Sequence, residues 1–195
     1  MTQSTNQKTD TTPNADAGCL KRLCPALPPF SAQLVFWLVF AAGLSLDLWT
    51  KRVVFTWLGN LPRNTVTIVD GFLRFITAEN PGAAFGIAAG QRGLLVAISV
   101  VAIAVVLAVF LFSAGERRLI HFSLGLFAAG VCGNLYDRLF NNGLVRDFID
   151  VVYWPGRHWP AFNVADSILC VAVGLLVLSS VFTPKPAQER GRQQK

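Results

Sequence analysis

The sequence predicts a mainly α, integral membrane protein: four transmembrane helices, with a small extracytoplasmic β-hairpin or β-cradle between helices 1 and 2. Three observations predict it. Only 14% of the 195 residues are charged and 53% are hydrophobic, whereas soluble domains carry about 25% charged residues. The deficit is gathered into four long apolar blocks, and mean hydropathy is +0.48. Between the first two blocks lie two β-prone runs around a turn signal. The length suits one compact unit of a few spans and leaves little room for a separate soluble domain.

Residues 1–30 are rich in Thr, Asn, Gln, Asp and Pro and lack apolar periodicity, so they are expected to form a disordered cytoplasmic tail. The first span is expected over about Leu34–Leu48. The connection from Arg52 to Arg92 is too long for a plain turn. Within it, Thr65–Val69, then Asp70-Gly71, then Phe72–Thr77 reads as two strands about a two-residue hairpin turn. The second span, Leu94–Phe112, is uninterrupted apart from Ser99; at 1.5 Å per residue it covers roughly 28 Å, close to a hydrocarbon core. The third is expected over about Leu119–Phe140 and the fourth over about Phe162–Phe182. Residues 183–195, with Lys185, Arg190, Arg192 and Lys195, form a basic tail, leaving 31–182 as the four-span domain.

An even number of spans puts both termini on one side. Lys21, Arg22, Lys185 and Arg190, with the Glu116-Arg117-Arg118 turn, favour the cytoplasm for that side. Arg52, Arg63, Arg74, Arg92, Arg146 and Arg157 fall opposite, several of them in one long connection where the rule is weak. The net charge of +6 therefore speaks of membrane orientation, and no nucleic-acid partner is expected. Trp49, Trp57, Trp154 and Trp159 lie near span ends, where amphipathic rings favour the headgroup zone. Gly125, Ala129 and Gly133 recur every fourth residue, a helix-packing stripe.

Polar groups inside spans are costly and mark functional sites by default. Asp47, Asn134, Asp137, Arg138, Asn163 and Asp166 all lie toward one end of their segments. In the fourth span Asn163, Asp166 and Ser167 share a helix face, as do Asn134, Asp137 and Arg138 in the third. Val145–Asp150 alternates apolar and acidic residues on the route between them. His121 and His158 lack zinc-binding spacing, and His121 lies far from the polar cluster as a structural residue; there is no serine elbow and no phosphate loop. Cys19, Cys24, Cys132 and Cys170 show no metal or redox spacing. Ala15–Cys19 looks like the small-residue stretch before a lipidated cysteine, but no apolar segment precedes it. No metal and no cofactor are expected.

Carboxylates remain. Two aspartates close together in a low-dielectric site share one proton, so the ionised one takes a proton from water and the neutral one protonates the leaving group. That hydrolyses an amide without a metal or covalent intermediate. The candidates are Asp47, Asp137, Asp147, Asp150 and Asp166, and the physics selects Asp166 plus one partner without ranking the rest. Asp137 beside Arg138, and Asp47 four residues before Lys51, also read as ion pairs.

Five blocks occur in order: Asp47-x-x-x-Lys51; Asn80-x-Gly82-Ala83-Ala84-Phe85-Gly86; Gly133-Asn134-x-x-Asp137-Arg138; Val145-x-Asp147-Phe148; and Phe162-Asn163-x-Ala165-Asp166-Ser167. Together they resemble bacterial lipoprotein signal peptidase, signal peptidase II, over about residues 31–182. The resemblance implies an aspartic endopeptidase of the bacterial inner membrane. Its substrate is a prolipoprotein whose cysteine carries a diacylglyceryl group, cut just before that cysteine. It implies Asp147 and Asp166 as the catalytic dyad; Asn80, Gly82, Asn134, Arg138 and Asn163 at the substrate; and Asp47, Lys51 and Asp137 in support. Arg146, where the family usually has an apolar residue, and Pro81 depart from the common pattern, and Arg146 beside Asp147 is expected to bear on its proton affinity. The enzyme is expected to act as a monomer among membrane lipids, with its site near the outer leaflet. Two other readings stand beside this one: a small proton-coupled transporter or channel built on the same intramembrane Asp, Asn and Arg, and a noncatalytic assembly partner. No internal repeat supports the transporter.

Overall fold

The computed structural model describes residues 28–83, 86–113 and 118–182. The expected tails with Cys19, Cys24 and their basic residues, the Glu116-Arg117 turn, and Ala84 and Phe85 lie outside the described residues. Four helices are long and apolar enough to cross a membrane: α1 (Phe30–Gly59), α2 (Arg92–Phe112), α3 (Arg118–Phe140) and α4 (Val164–Val181). This is a multi-pass membrane protein. Val100, Val101, Val105 and Val109 of α2 and Val171, Val173, Val177 and Leu178 of α4 are exposed, as lipid-facing side chains are.

Helix α1 is twice the length expected of the first span. At thirty residues it reaches about 45 Å. Asp47 and Lys51 look like the end of an apolar run, yet one helical turn apart they neutralise each other inside the bundle. Nothing in Val53–Leu58 breaks a helix, so it continues to Gly59.

Helix α3 packs against the other three. Its small-residue stripe faces α1: a Cβ on Gly125 would stand 2.7 Å from the Phe36 carbonyl oxygen, and one on Gly43 would stand 2.9 Å from the Ala129 Cβ. Gly130 meets α4 on another face, its Cβ position 2.7 Å from the Ala165 carbonyl oxygen. One apolar cluster, Phe36, Val106, Phe110, Leu124 and Ala128, fills the end of the bundle away from the sheet, with Phe36 and Phe110 stacked at 4.2 Å. His121 is fully buried there, edge-on to Phe110.

The sheet caps the other end, where α1 and α3 finish and α2 and α4 begin. Its strands are β1 (Thr65–Val69), β2 (Leu73–Asn80), β3 (Val145–Trp154) and β4 (Arg157–His158), antiparallel in that order. The hairpin expected between helices 1 and 2 is present, with Gly71 at φ 70° in its turn. The sheet is larger than that hairpin, because β3 and β4 come from the connection between helices 3 and 4. A lone two-stranded hairpin is marginal; β3 supplies the apolar face, with Phe148 packed under the sheet on Val54 and Leu58 and edge-on to Phe75 at 5.7 Å. The register pairs Asn80 with Val145, Glu79 with Arg146 and Ala78 with Asp147.

Candidate active site

Asp166 sits in the first turn of α4, and Asn163 caps that helix. The Asn163 Oδ1 accepts from the Asp166 backbone N–H at 3.0 Å, and the Asp166 Oδ2 accepts from the Asn163 N–H at 3.2 Å. This reciprocal box satisfies helix-end donors and fixes the carboxylate at the same time. Asp147 is held on β3 at 2% exposure. Its Oδ1 accepts from Asn163 Nδ2 at 2.7 Å and its Oδ2 from Asn80 Nδ2 at 3.1 Å.

The two carboxylates are joined by amides. Asn163 Nδ2 also donates to Asn134 Oδ1 at 3.1 Å, and Asn134 Nδ2 donates to Asp166 Oδ1 at 2.7 Å. Thus Asp147, Asp166, Asn80, Asn134 and Asn163, separate in the sequence, meet at one place. Burial first, and then the charge of Asp166, push Asp147 up to about 7, against the opposing pull of the Asn80 and Asn163 amides and of Lys51.

Behind Asn134 lies the Lys51 ammonium, fully buried. It donates to Asn134 Oδ1 at 3.0 Å and forms ion pairs with Asp47 Oδ2 at 2.8 Å and Asp137 Oδ2 at 3.0 Å. The Ala165 backbone N–H donates to Asp47 Oδ1 at 2.8 Å, tying α1 to the start of α4. Asp137 does not pair with Arg138, as their adjacency suggested. Consecutive helical residues point to different faces, and Asp137 turns to Lys51 and Arg146 while Arg138 donates to the Gly82 carbonyl at 3.0 Å and the Asn134 carbonyl at 3.3 Å. Gly82 admits no larger residue, because a Cβ would stand 2.8 Å from the Ile87 carbonyl oxygen.

Arg146 does not contact Asp147 either. Neighbours on a strand face opposite ways, and the Arg146 guanidinium lies on Asp137 through Nε at 2.9 Å and Nη2 at 2.5 Å. Asp150 stands outside the cluster. Arg74 Nε donates to it at 2.8 Å and the His158 Nδ1 lies 2.9 Å from it, so it pins β2, β3 and β4 together. That arrangement escaped sequence reasoning because its members are spread over residues 74, 150 and 158.

Beside the two aspartates opens a cavity of about 710 Å³, lined by Asn80, Gly82, Asn134, Arg138, Asp147 and Asp166 at its polar end. Its other walls are apolar: Leu95, Ile98 and Ala102 of α2, Phe127 and Val131 of α3, and Leu169 of α4. Trp159, Pro160 and Phe162 close it on the side of the sheet. Nothing in the sequence reasoning pointed to α2 as a wall, since that helix carries only Ser99 as a polar mark. Among the described residues no cluster of three or more His, Cys, Asp or Glu side chains is arranged to hold a metal ion.

Comparison with known proteins identifies the family. Residues 39–182 match the family model of signal peptidase (SPase) II. The chain is 40% identical over 171 residues to the lipoprotein signal peptidase of Rhodopirellula baltica, covering 80% of this chain and 74% of that protein. It is 38% identical over 150 residues to that of Geobacter metallireducens, covering 75% and 90%. A solved bacterial membrane enzyme is similar at a TM-score of 0.69 and 25% identity, over 81% of this chain and 92% of that one. With a match across most of its length and relatives well above 30% identity, the chain belongs to the signal peptidase II family and is a membrane peptidase.

Proposed function

We propose that this peptidase is of the aspartic type and cuts prolipoproteins just before a diacylglyceryl-modified cysteine, with Asp147 and Asp166 as its catalytic pair. The observation that carries the reading is the amide-bridged pair of carboxylates at the polar end of an apolar cavity. Below about pH 7, Asp147 keeps its proton. Asp166, at a helix N-terminus whose dipole favours negative charge, takes a proton from a water molecule between them. The water oxygen attacks the peptide carbonyl, and Asp147 gives its proton to the departing amine. Arg138 is the group for the carbonyl oxygen, since its cation lines the polar end of the cavity beside both aspartates.

The same geometry supports the roles read for the neighbouring residues. Asn80, Gly82, Asn134 and Asn163 hold the peptide beside the pair, and Asp47, Lys51 and Asp137 hold Asn134. The apolar walls of α2, α3 and α4 accept the lipid-modified segment, which enters sideways from the bilayer. Both termini are placed in the cytoplasm on the balance of basic residues. That puts the sheet and the two aspartates at the outer leaflet, and residues 31–182 form the working unit.

The test is cleavage of a purified diacylglyceryl-modified precursor by Asp147→Asn and Asp166→Asn. Loss of at least about a thousandfold in either is expected for a catalytic group. Retained turnover removes that residue from the pair. The transporter reading finds no support in the family match, which runs through all four helices.

A further inference from the structure

We propose that Arg146 is a positioning residue for the reaction: acting through Asp137 and Lys51, it keeps the buried charges balanced and holds β3 where Asp147 faces Asp166. The inference rests on the reading of Asp147 and Asp166 as the catalytic pair. Arg146 touches neither of them. Its side chain is 21% exposed and reaches inward to a carboxylate that is fully buried.

Arg146 grips Asp137 twice over. The guanidinium meets Oδ1 through two nitrogens, and the Arg146 backbone N–H donates to Oδ2 at 3.1 Å. Helix α3 is thereby tied to β3 across nine residues, directly before the residue that carries Asp147. With the guanidinium on one carboxylate oxygen and the backbone N–H on the other, orientation is fixed as well as distance.

The second part of the argument is charge. Asp47 and Asp137 are two buried carboxylates, and Lys51 and Arg146 are the two cations that contact them. With Arg146 the group sums to zero; without it, one negative charge is left over. Lys51 also donates to the Asn134 oxygen, and the Asn134 amide holds Asp166. An uncompensated Asp137 would draw the ammonium toward itself and slacken that link. The other charged groups facing the cluster are Asp166 on α4, Arg138 on α3, Asp147 on β3 and Glu79, the register partner of Arg146 on β2. Asp150 on β3 is already taken by Arg74 and His158.

The experiment compares full-length Arg146→Gln, Arg146→Lys and the double variant Arg146→Gln with Asp137→Asn, reading kcat, KM and the pH profile on a diacylglyceryl-modified precursor, with Asp147→Asn alongside. Arg146→Gln is expected to lower kcat about tenfold with little change in KM. It should also move the alkaline limb of the profile up by about half a pH unit, because an extra negative charge favours the protonated pair. Arg146→Lys keeps the charge and should keep the limb in place. The double variant removes one charge of each sign and should return the limb to its wild-type position. Should Arg146→Gln not fold, Asp137→Asn alone carries the test: it removes one negative charge and should move the limb down while Arg146→Lys leaves it in place, and an unmoved limb in Asp137→Asn would overturn the charge argument. An unaltered kcat and limb in Arg146→Gln would overturn the positioning role, as would a limb that stays shifted in the double variant. An active Asp147→Asn would instead sink the catalytic pair itself, so the two failures are told apart.

Discussion

Replacing Lys51 by Met tests whether the buried cluster is held by charge. Methionine keeps a similar length and removes the ammonium. Lys51 and its carboxylate partners have no solvent exposure, so water cannot stand in for the lost cation. Breaking such a pair by removing one partner costs about 3–5 kcal/mol, because a buried charge is left alone. The loss is uneven. Asp137 keeps Arg146, whereas Asp47 keeps only the Ala165 N–H, so most of the penalty falls on Asp47. At about 2–4 °C per kcal/mol for a chain of this size, the midpoint of thermal unfolding should fall by roughly 10 °C. Adding Asp47→Asn removes the stranded charge and should recover more than half of the loss. The measurement is thermal unfolding of the purified protein in detergent, run on both single variants and the pair. A fall of less than about 1 kcal/mol in Lys51→Met, or a double variant no better than the single, would refute the argument.

Two further outcomes follow from the geometry. Turnover should fall as pH rises through about 7, where Asp147 loses its proton, and a kcat profile between pH 5 and 9 checks this. The sign for stability is the same: the folded chain holds this proton more tightly than the unfolded chain, so the stabilisation present at low pH is lost as pH climbs from about 4 to about 7. Gly130→Ala should force α3 and α4 apart, since the new Cβ would meet the Ala165 carbonyl oxygen at 2.7 Å. A loss of about 1–3 kcal/mol in thermal stability is expected, with turnover reduced as Asp166 moves with α4; wild-type values for both would show that the contact relaxes freely.

The motif blocks around Asp47, Asn134 and Asp166 were legible because they put polar residues where an apolar span has no use for them, whereas the roles of Asn80 and Asp147, on strands, were read from the resemblance. The pairings among these residues were less legible. Asp137 and Arg138 are adjacent and opposite in charge, which invites pairing, but helical neighbours diverge and the true partner is nine residues on, across a turn. Arg146 beside Asp147 invites the same error on a strand, where alternation sends the two side chains apart. The first span was read short because Asp47 and Lys51 resemble a boundary when their ion pairing with each other and with Asp137, and their hydrogen bonds to Asn134 and the Ala165 N–H, are not visible. Strand β3 was seen for its carboxylates, while its place in the sheet depended on Phe148 finding Val54, Leu58 and Phe75, contacts that no local pattern reveals.

The two aspartates are chemically identical in sequence, so any division of labour must come from their surroundings: burial and the charge of Asp166 raise Asp147, and the donors around each carboxylate differ as well. Asp147 accepts from the side-chain amides of Asn80 and Asn163. Asp166 accepts from a backbone N–H and from the Asn134 amide, whose oxygen is bound by the Lys51 ammonium. A cation on the carbonyl oxygen of an amide strengthens its N–H as a donor, so the charge of Lys51 is passed to Asp166 without a contact between them. Asn134 can do this because one side chain offers an acceptor and donors in one plane. An aspartate there would repel both carboxylates, and a serine would lack the reach to span Lys51 and Asp166. On the proposed reading, burial keeps the proton on Asp147 while the asparagines hold the two carboxylates beside each other, with Lys51 bracing Asn134 from behind.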